Sequence, residues 1–302
     1  MRLGVVLLAG IALLGAAHGA VAGPRVVADI APVAALVADV MGGDEDVTTL
    51  VRPGASPHGY ALRPSEAAAL QEAELVIYVG EALTPWLPSA LGSLAQDARK
   101  LALLSHPGTL KLDTRENALF AAETDDHDHD HGDTDPHAWL DPENARRWIA
   151  LIAGYLSAID PDGAETYAAN AEAAVAEISR AEAEAAARLE PVRDQPFIVF
   201  HDAYQYFETR FGLASAGAVA LSDAAAPGPA RLKTLQAHIT GRGVRCGFAE
   251  PQFNAGLLQT VLSGTGARIA YLDPVGADLP PGAGFYPALL RDLSTRIAEC
   301  LG

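Results

Sequence analysis

Between Asp125 and Pro142 the chain reads DDHDHDHGDTDPHAWLDP, which places His127, His129, His131 and His137 within a dozen residues of a protein with nine histidines in all. Two signals are joined there: a low-complexity His/Asp run, and then an ordered Asp-Pro-His-Ala-Trp-Leu-Asp-Pro segment. Both point to a metal ion. In an extended segment alternate side chains share a face, so His127, His129 and His131 line one side roughly 7 Å apart, with Asp126, Asp128 and Asp130 opposite. The competing reading of this run is a solvated acidic loop that meets metal only incidentally.

Four positions fall at strand ends or in the loops that follow strands. His58 lies in GASPHGYALRPSE, His137 in DPHAWLDP, His201 directly after PFIVF, and Asp273 directly after RIAYL. Singly each is weak, because a lone histidine is more often structural than ligating and an Asp before Pro is usually a turn former. Together, three imidazoles and one carboxylate make a donor set that suits tetrahedral zinc, whereas manganese prefers more oxygens and a higher coordination number. Trp139, Tyr60, Tyr204, Tyr206 and Phe207 surround these positions in sequence and read as packing that dries and shapes a site. Ligating imidazoles need acceptors for their second ring nitrogens, and Asp202 is the nearby candidate.

Elements that could bring these residues together follow from hydrophobic periodicity and from Gly and Pro punctuation. RVVADI (residues 25–30) reads as a strand, APVAALVADVM (31–41) as a helix stopped by Gly42-Gly43, residues 46–51 as a strand, 64 to about 74 as a helix, LVIYV (75–79) as a strand, 85–95 as a helix, and 100–104 as an apolar run. Residues 105–134 lose periodicity and turn polar; a loop of that length in a compact domain is functional or disordered. A helix opens at Asp141-Pro142-Glu143. Residues 161–189, rich in Ala and Glu, predict one long helix of about 40 Å, either a rigid connector or one more packing helix. Alternation then resumes: strand 196–200, helix 204–211, strand 213–218, helix 228–240, strand 244–248, helix 254–265, strand 268–272 and helix 284–301. The expected fold is α/β, two lobes of parallel sheet flanked by helices and joined by one long helix, with ligands in the crevice beyond the carboxyl ends of the strands.

The chain has 302 residues, half of them apolar, which is enough for two lobes with a substantial core. Thirty-eight acidic against 21 basic side chains give a net charge of −17, which repels nucleic acid and anionic membrane surfaces and concentrates cations. Residues 1–22 have Arg2, an apolar run and small residues at Ala20 and Ala22. They read as a secretory signal peptide, with the mature chain expected to begin near Gly23. No cysteine lies near that point, so a free rather than lipid-anchored protein in an oxidising exported compartment is expected. The only cysteines are Cys246 and Cys300; in an exported chain they suggest a disulfide closing a loop of roughly 50 residues, two buried thiols being the alternative.

The segments GASPHGYALRPSE, HAWLDPENA, FHDAYQYF, FAEPQF and YLDPVG, in that order, resemble the solute-binding proteins of ABC-type zinc importers, within the wider family of zinc- and manganese-binding periplasmic receptors and adhesins. The resemblance covers essentially the whole mature chain. It implies a cluster A-I type binding protein with an N-terminal metal-binding lobe (23–160, carrying a His/Asp-rich loop at 122–134), a linking helix (161–191) and a C-terminal lobe (192–302). It also implies metal ligation by His58 and His137 from one lobe and His201 and Asp273 from the other. His201 stands where manganese-type members have glutamate, which favours Zn2+. Pro57 stands where some zinc-type members have an acidic residue, which leaves Asp273 or a water for the fourth position. The family's cysteine pair matches Cys246 and Cys300, and its histidine-rich tract is an auxiliary, weaker metal site resembling His127, His129 and His131. The implied function is zinc capture in the periplasm and delivery to an inner-membrane ABC permease, by a monomer, with a periplasmic zinc chaperone as a further partner and no nucleic acid. The other readings are an exported zinc-dependent hydrolase, for which H-E-x-x-H, G-x-S-x-G and a Gly-rich phosphate loop are all missing, a receptor for manganese or another divalent metal, and a zinc buffer without a permease.

Overall fold

The computed structural model describes residues 23–43, 46–115, 119, 134–220 and 228–302. The stretch expected to be a signal peptide and His127, His129 and His131 lie outside the described residues. The N-terminal part contains strands β1 (Val26–Ala28), β2 (Val47–Thr49), β3 (Leu75–Tyr78) and β4 (Arg99–Ala102), with helices α1 (Ala31–Met41), α2 (Pro64–Glu72), α3 (Leu87–Leu94) and α4 (Pro142–Ile159). Helix α5 (Ala164–Leu189) leads to strands β5 (Phe197–His201), β6 (Ala218–Ala220), β7 (Cys246–Ala249) and β8 (Arg268–Tyr271), with helices α6 (Gln205–Phe211), α7 (Pro229–Arg242), α8 (Gly256–Leu262) and α9 (Phe285–Leu301). The strands form two four-stranded sheets in the orders β2-β1-β3-β4 and β6-β5-β7-β8, and every pairing is parallel. The two halves thus repeat one topology, and in each the order reverses between the two central strands.

Local signals set most of the boundaries. Helix α1 carries Pro32 in its first turn and ends at Gly42, whose φ of 81° is the left-handed conformation a helix C-cap needs. Helix α4 begins at Pro142 behind Asp141, whose carboxylate accepts from the Glu143 N–H. The expected strand at 213–218 starts later, at Ala218. Leu213 N donates to the Glu208 carbonyl and Ser215 Oγ donates to the Glu208 carboxylate at 2.8 Å, so this stretch first finishes α6.

Helix α5 is connector and packing element at once. Its buried residues Tyr167, Ala174, Ile178, Ala181, Ala185 and Leu189 share one face, and it packs against α1 and α4 of the first lobe and α9 of the second. The small alanines allow close helix approach. One hydrophobic core therefore runs from Val26 and Leu36 through Trp148 and Ile178 to Leu293 and Leu301. A separate cluster lies on the outer side of each sheet, around Leu70 and Val76 in one lobe and Ile239 and Val261 in the other. Asp39 of α1 accepts from the Gly284 N–H at 2.7 Å, a further tie between the lobes. Cys246 of β7 and Cys300 of α9 are disulfide-bonded. Among the described residues no helix is long and apolar enough to cross a membrane.

Candidate metal centre

His58, His137 and His201 converge where the carboxyl ends of the two sheets face each other, each offering a ring nitrogen within 4.8 Å of the others. His58 sits between β2 and α2 on a loop pinned at both ends. Trp86 Nε1 donates to the Pro57 carbonyl at 2.7 Å. Tyr60 donates to Glu66 at 2.7 Å while Glu66 caps α2 by accepting from Arg63 N. His137 precedes the 3-10 turn Ala138–Leu140 that leads into α4. His201 is the last residue of β5, on the side where the C-terminal sheet reverses its order. His137 and His201 are each only 5 % exposed, and His58 is half-buried.

Two of the three rings are held by buried carboxylates. His137 Nδ1 lies 2.7 Å from Asp135 Oδ1, which also accepts from the His137 backbone N–H at 2.9 Å. His201 Nδ1 lies 2.9 and 2.8 Å from the two oxygens of Glu250, at the end of β7. With Nδ1–H donated to a carboxylate, each ring turns its Nε2 lone pair inward, and the two Nε2 atoms stand 3.3 Å apart. Two lone pairs repel at that distance unless a cation lies between them. A tetrahedral zinc with Zn–N bonds of 2.0–2.1 Å sets its donor atoms about 3.3 Å apart, so the spacing fits the ion. The two anions behind the imidazoles offset its charge and raise ring basicity.

Burial pushes Asp135 up to about 7, with the His137 backbone N–H and the Arg115 charge opposing. Asp202 is likewise raised to about 7 by burial, opposed by Arg115. Asp202 was the acceptor anticipated for a ligand ring; instead it pairs with Arg115 at 2.9 Å, and the same guanidinium reaches Glu208 at 2.7 Å. The acceptors are Asp135 and Glu250. A signal for the first was available, since an Asp two residues before a histidine can reach its ring. Glu250 lies 49 residues from His201, and only the strand order brings it there.

Asp273 takes a different place. Its Oδ1 accepts from Gln252 Nε2 at 2.9 Å and from Val275 N at 3.0 Å, its Oδ2 from Ala277 N at 2.6 Å, and it is not in the group of converging ligand atoms. The aromatic residues pack as expected. Trp139, 5.3 Å from the His137 ring between centroids, donates to the Pro274 carbonyl across the lobes at 2.7 Å, and Tyr206 donates to the Asp135 carbonyl at 3.0 Å. Phe253 stands 5.3 Å from the His201 ring. A cleft of about 740 Å³ opens beside the histidines, bordered by Glu81, Lys111, Arg115 and Asp202.

Comparison with known proteins bears on the same assembly. The family model described as ZnuA, zinc-uptake complex component A, periplasmic, matches residues 26–300. The high-affinity zinc uptake system protein ZnuA of Paracoccus denitrificans (strain Pd 1222) is 43% identical over 300 residues, covering 92% of both chains. Its counterpart in Brucella abortus (strain 2308) is 37% identical over 330 residues, covering 97% of both. A crystal structure of ZnuA superposes with a TM-score of 0.76 at 26% identity, covering 93% of this chain and 100% of the other. A metal-ready trio of histidines held between two parallel sheets, and a match of this length, have one reading: the chain belongs to the ZnuA family of periplasmic zinc-uptake components.

Proposed function

We propose that the protein captures zinc in the periplasm and hands it to the permease of an ABC importer, acting as a receptor and not as an enzyme. The observation that carries this reading is the convergence of His58, His137 and His201 from both lobes, with Asp135 and Glu250 setting two of the rings for Nε2 ligation. His58, His137 and His201 hold the ion, and the fourth position is supplied from the side of the C-terminal lobe where Asp273 lies. Residues 1–22 direct export and are removed, and the mature protein is free and monomeric. The lobes run over residues 23–160 and 192–302, with 161–191 linking them. His127, His129 and His131 form an auxiliary site of lower affinity. Support for that role comes from the composition of the run, in which three imidazoles alternate with carboxylates. A periplasmic zinc chaperone is a further partner.

Zinc content and stoichiometry of the mature protein, of a version lacking residues 123–133, and of His201→Ala test this. One tightly bound zinc in the first two, with weaker extra zinc lost on the deletion and the tight one lost in His201→Ala, is expected. Loss of all zinc with the deletion would overturn the inter-lobe site.

A further inference from the structure

The side chain of Gln252 is oriented by Asp273. Its Nε2 donates to Asp273 Oδ1 at 2.9 Å, and the opposite amide orientation would set oxygen against carboxylate. The Oε1 atom is therefore turned away from Asp273. It is buried and, among the described residues, without a hydrogen-bond partner. Gln252 also borders a small cavity together with His58, His137, His201, Glu250 and Trp139. That cavity measures about 20 Å³, room for a single ion or a single water. A buried amide oxygen left unpartnered is costly, and a space of this size beside three imidazoles can supply one partner, an ion or a water. Asp273 does not border the cavity, and three donors already occupy its carboxylate: Gln252, Val275 N and Ala277 N.

We infer that Gln252 presents the fourth donor of the metal site, an oxygen beside three imidazole nitrogens, through Oε1, to the ion or to its bound water, and that Asp273 is the positioning residue that aims it. The inference rests on zinc binding at the three histidines and names the neutral amide donor that completes them. A neutral fourth donor suits a receptor that must also release its cargo: the ion gains less charge neutralisation than from a carboxylate, and the anions, Asp135 and Glu250, stay behind the imidazoles, hydrogen-bonded to their Nδ1 atoms.

Zinc affinity by chelator competition, and the visible absorption of the Co2+-loaded protein, are compared for wild type, Gln252→Met, Asp273→Ala and the double variant. Gln252→Met and Asp273→Ala should each weaken zinc by about 10-fold, the low end of the range for residues that orient a metal site. The double variant should fall no further than the weaker single, because the two act as a unit, and both singles should shift the Co2+ bands alike, which a purely structural loss would not do. Asp273→Ala weakening zinc more than 10-fold beyond Gln252→Met would show direct carboxylate ligation and overturn the inference. So would a Gln252→Met protein within twofold of wild type. If Gln252→Met fails to fold, Gln252→Asn, which keeps the amide but withdraws the oxygen by one methylene, serves in its place with the same two outcomes. Absence of tight zinc from wild type, or its persistence in His201→Ala, would instead refute the three-histidine site itself.

Discussion

The two lobes use the same place in one topology for different ends. Where the strand order reverses in the N-terminal sheet, just after β1, stands Asp29, whose carboxylate accepts from Ile30 N and, across to the residue after β3, from Val79 N. In the C-terminal sheet the corresponding end of β5 carries His201, which meets Glu250 just after β7. One pair stitches neighbouring strands; the other holds an imidazole in the three-histidine cluster. The crevice beyond such a reversal is where open parallel sheets bind ligands, yet only one lobe places a histidine of the cluster at its reversal point. The N-terminal lobe contributes to the histidine cluster from loops instead, at His58 and His137. Exchanging the roles is the sharpest test. His201→Ala should weaken zinc by at least about 100-fold, beyond what loss of an orienting residue costs. Asp29→Asn should change zinc affinity less than about threefold while lowering stability by about 1–3 kcal/mol through the disturbed amide contacts. Equal losses of zinc in the two variants, by chelator competition, would erase the distinction.

A second asymmetry is covalent. Cys246 and Cys300 tie β7 to α9 across 54 residues of chain, while the N-terminal lobe relies on apolar packing around Trp148 and Ile152. Replacing both cysteines by alanine should cost about 2–4 kcal/mol in urea unfolding of the metal-free protein. An unchanged midpoint would mean that the packing of α9 on α5 already holds the C-terminal lobe together.

The two ring-orienting carboxylates differ in a way that ranks them. Asp135 uses a single oxygen for both the ring and the backbone of His137, so an Asn carbonyl oxygen in that place can still accept both bonds. Glu250 turns both oxygens to His201 Nδ1, so a Gln there must either present its NH2 to the ring or withdraw one acceptor. Glu250→Gln should therefore weaken zinc by several tens of fold, and Asp135→Asn by about 10-fold, within the range for such partners. The reverse order in titrations would mean that the charge of Asp135 matters more than its geometry.

This contrast also explains what the sequence alone could reveal. The strands, the long helix and the three histidines announce themselves through local signals: apolar runs such as LVIYV, the Ala/Glu composition of 164–189, and histidines at or after strand ends (His58, His201) or directly after an Asp-Pro (His137). Asp135 was within reach, two residues from His137. Glu250 and Gln252 were visible as part of FAEPQF but without a role, because their partners lie 49 and 21 residues away and are reached only when β7 docks between β5 and β8. Asp202 misled for the converse reason: adjacency to His201 in a strand end points the next side chain elsewhere, here to Arg115. The start of β6 at Ala218 is not legible locally, because nothing near it in sequence shows that Ser215 is claimed by Glu208.

The smallest effect separates the reversal points by proton. Asp29 is fully buried, and burial raises it from 3.8 to about 7 against the pull of the Val79 and Ile30 N–H groups. A carboxyl whose folded pKa lies above its unfolded value adds stability that is complete below about 3.8 and is lost as pH rises through about 7. Wild type should therefore gain on Asp29→Asn as pH falls from 7 to 6, by about 1 kcal/mol, most of one proton over one pH unit. The difference between the two proteins in urea unfolding, measured without metal, isolates this group, because every other titration is common to both. Over the same interval zinc affinity should move oppositely, falling because metal binding needs neutral imidazoles and protons compete with the ion for them. Acid would then loosen the cargo while strengthening the N-terminal sheet that helps frame its site. A flat stability difference across this interval would mean that Asp29 stays charged, held by its two amide donors, and that the two reversal points differ in partner but not in proton.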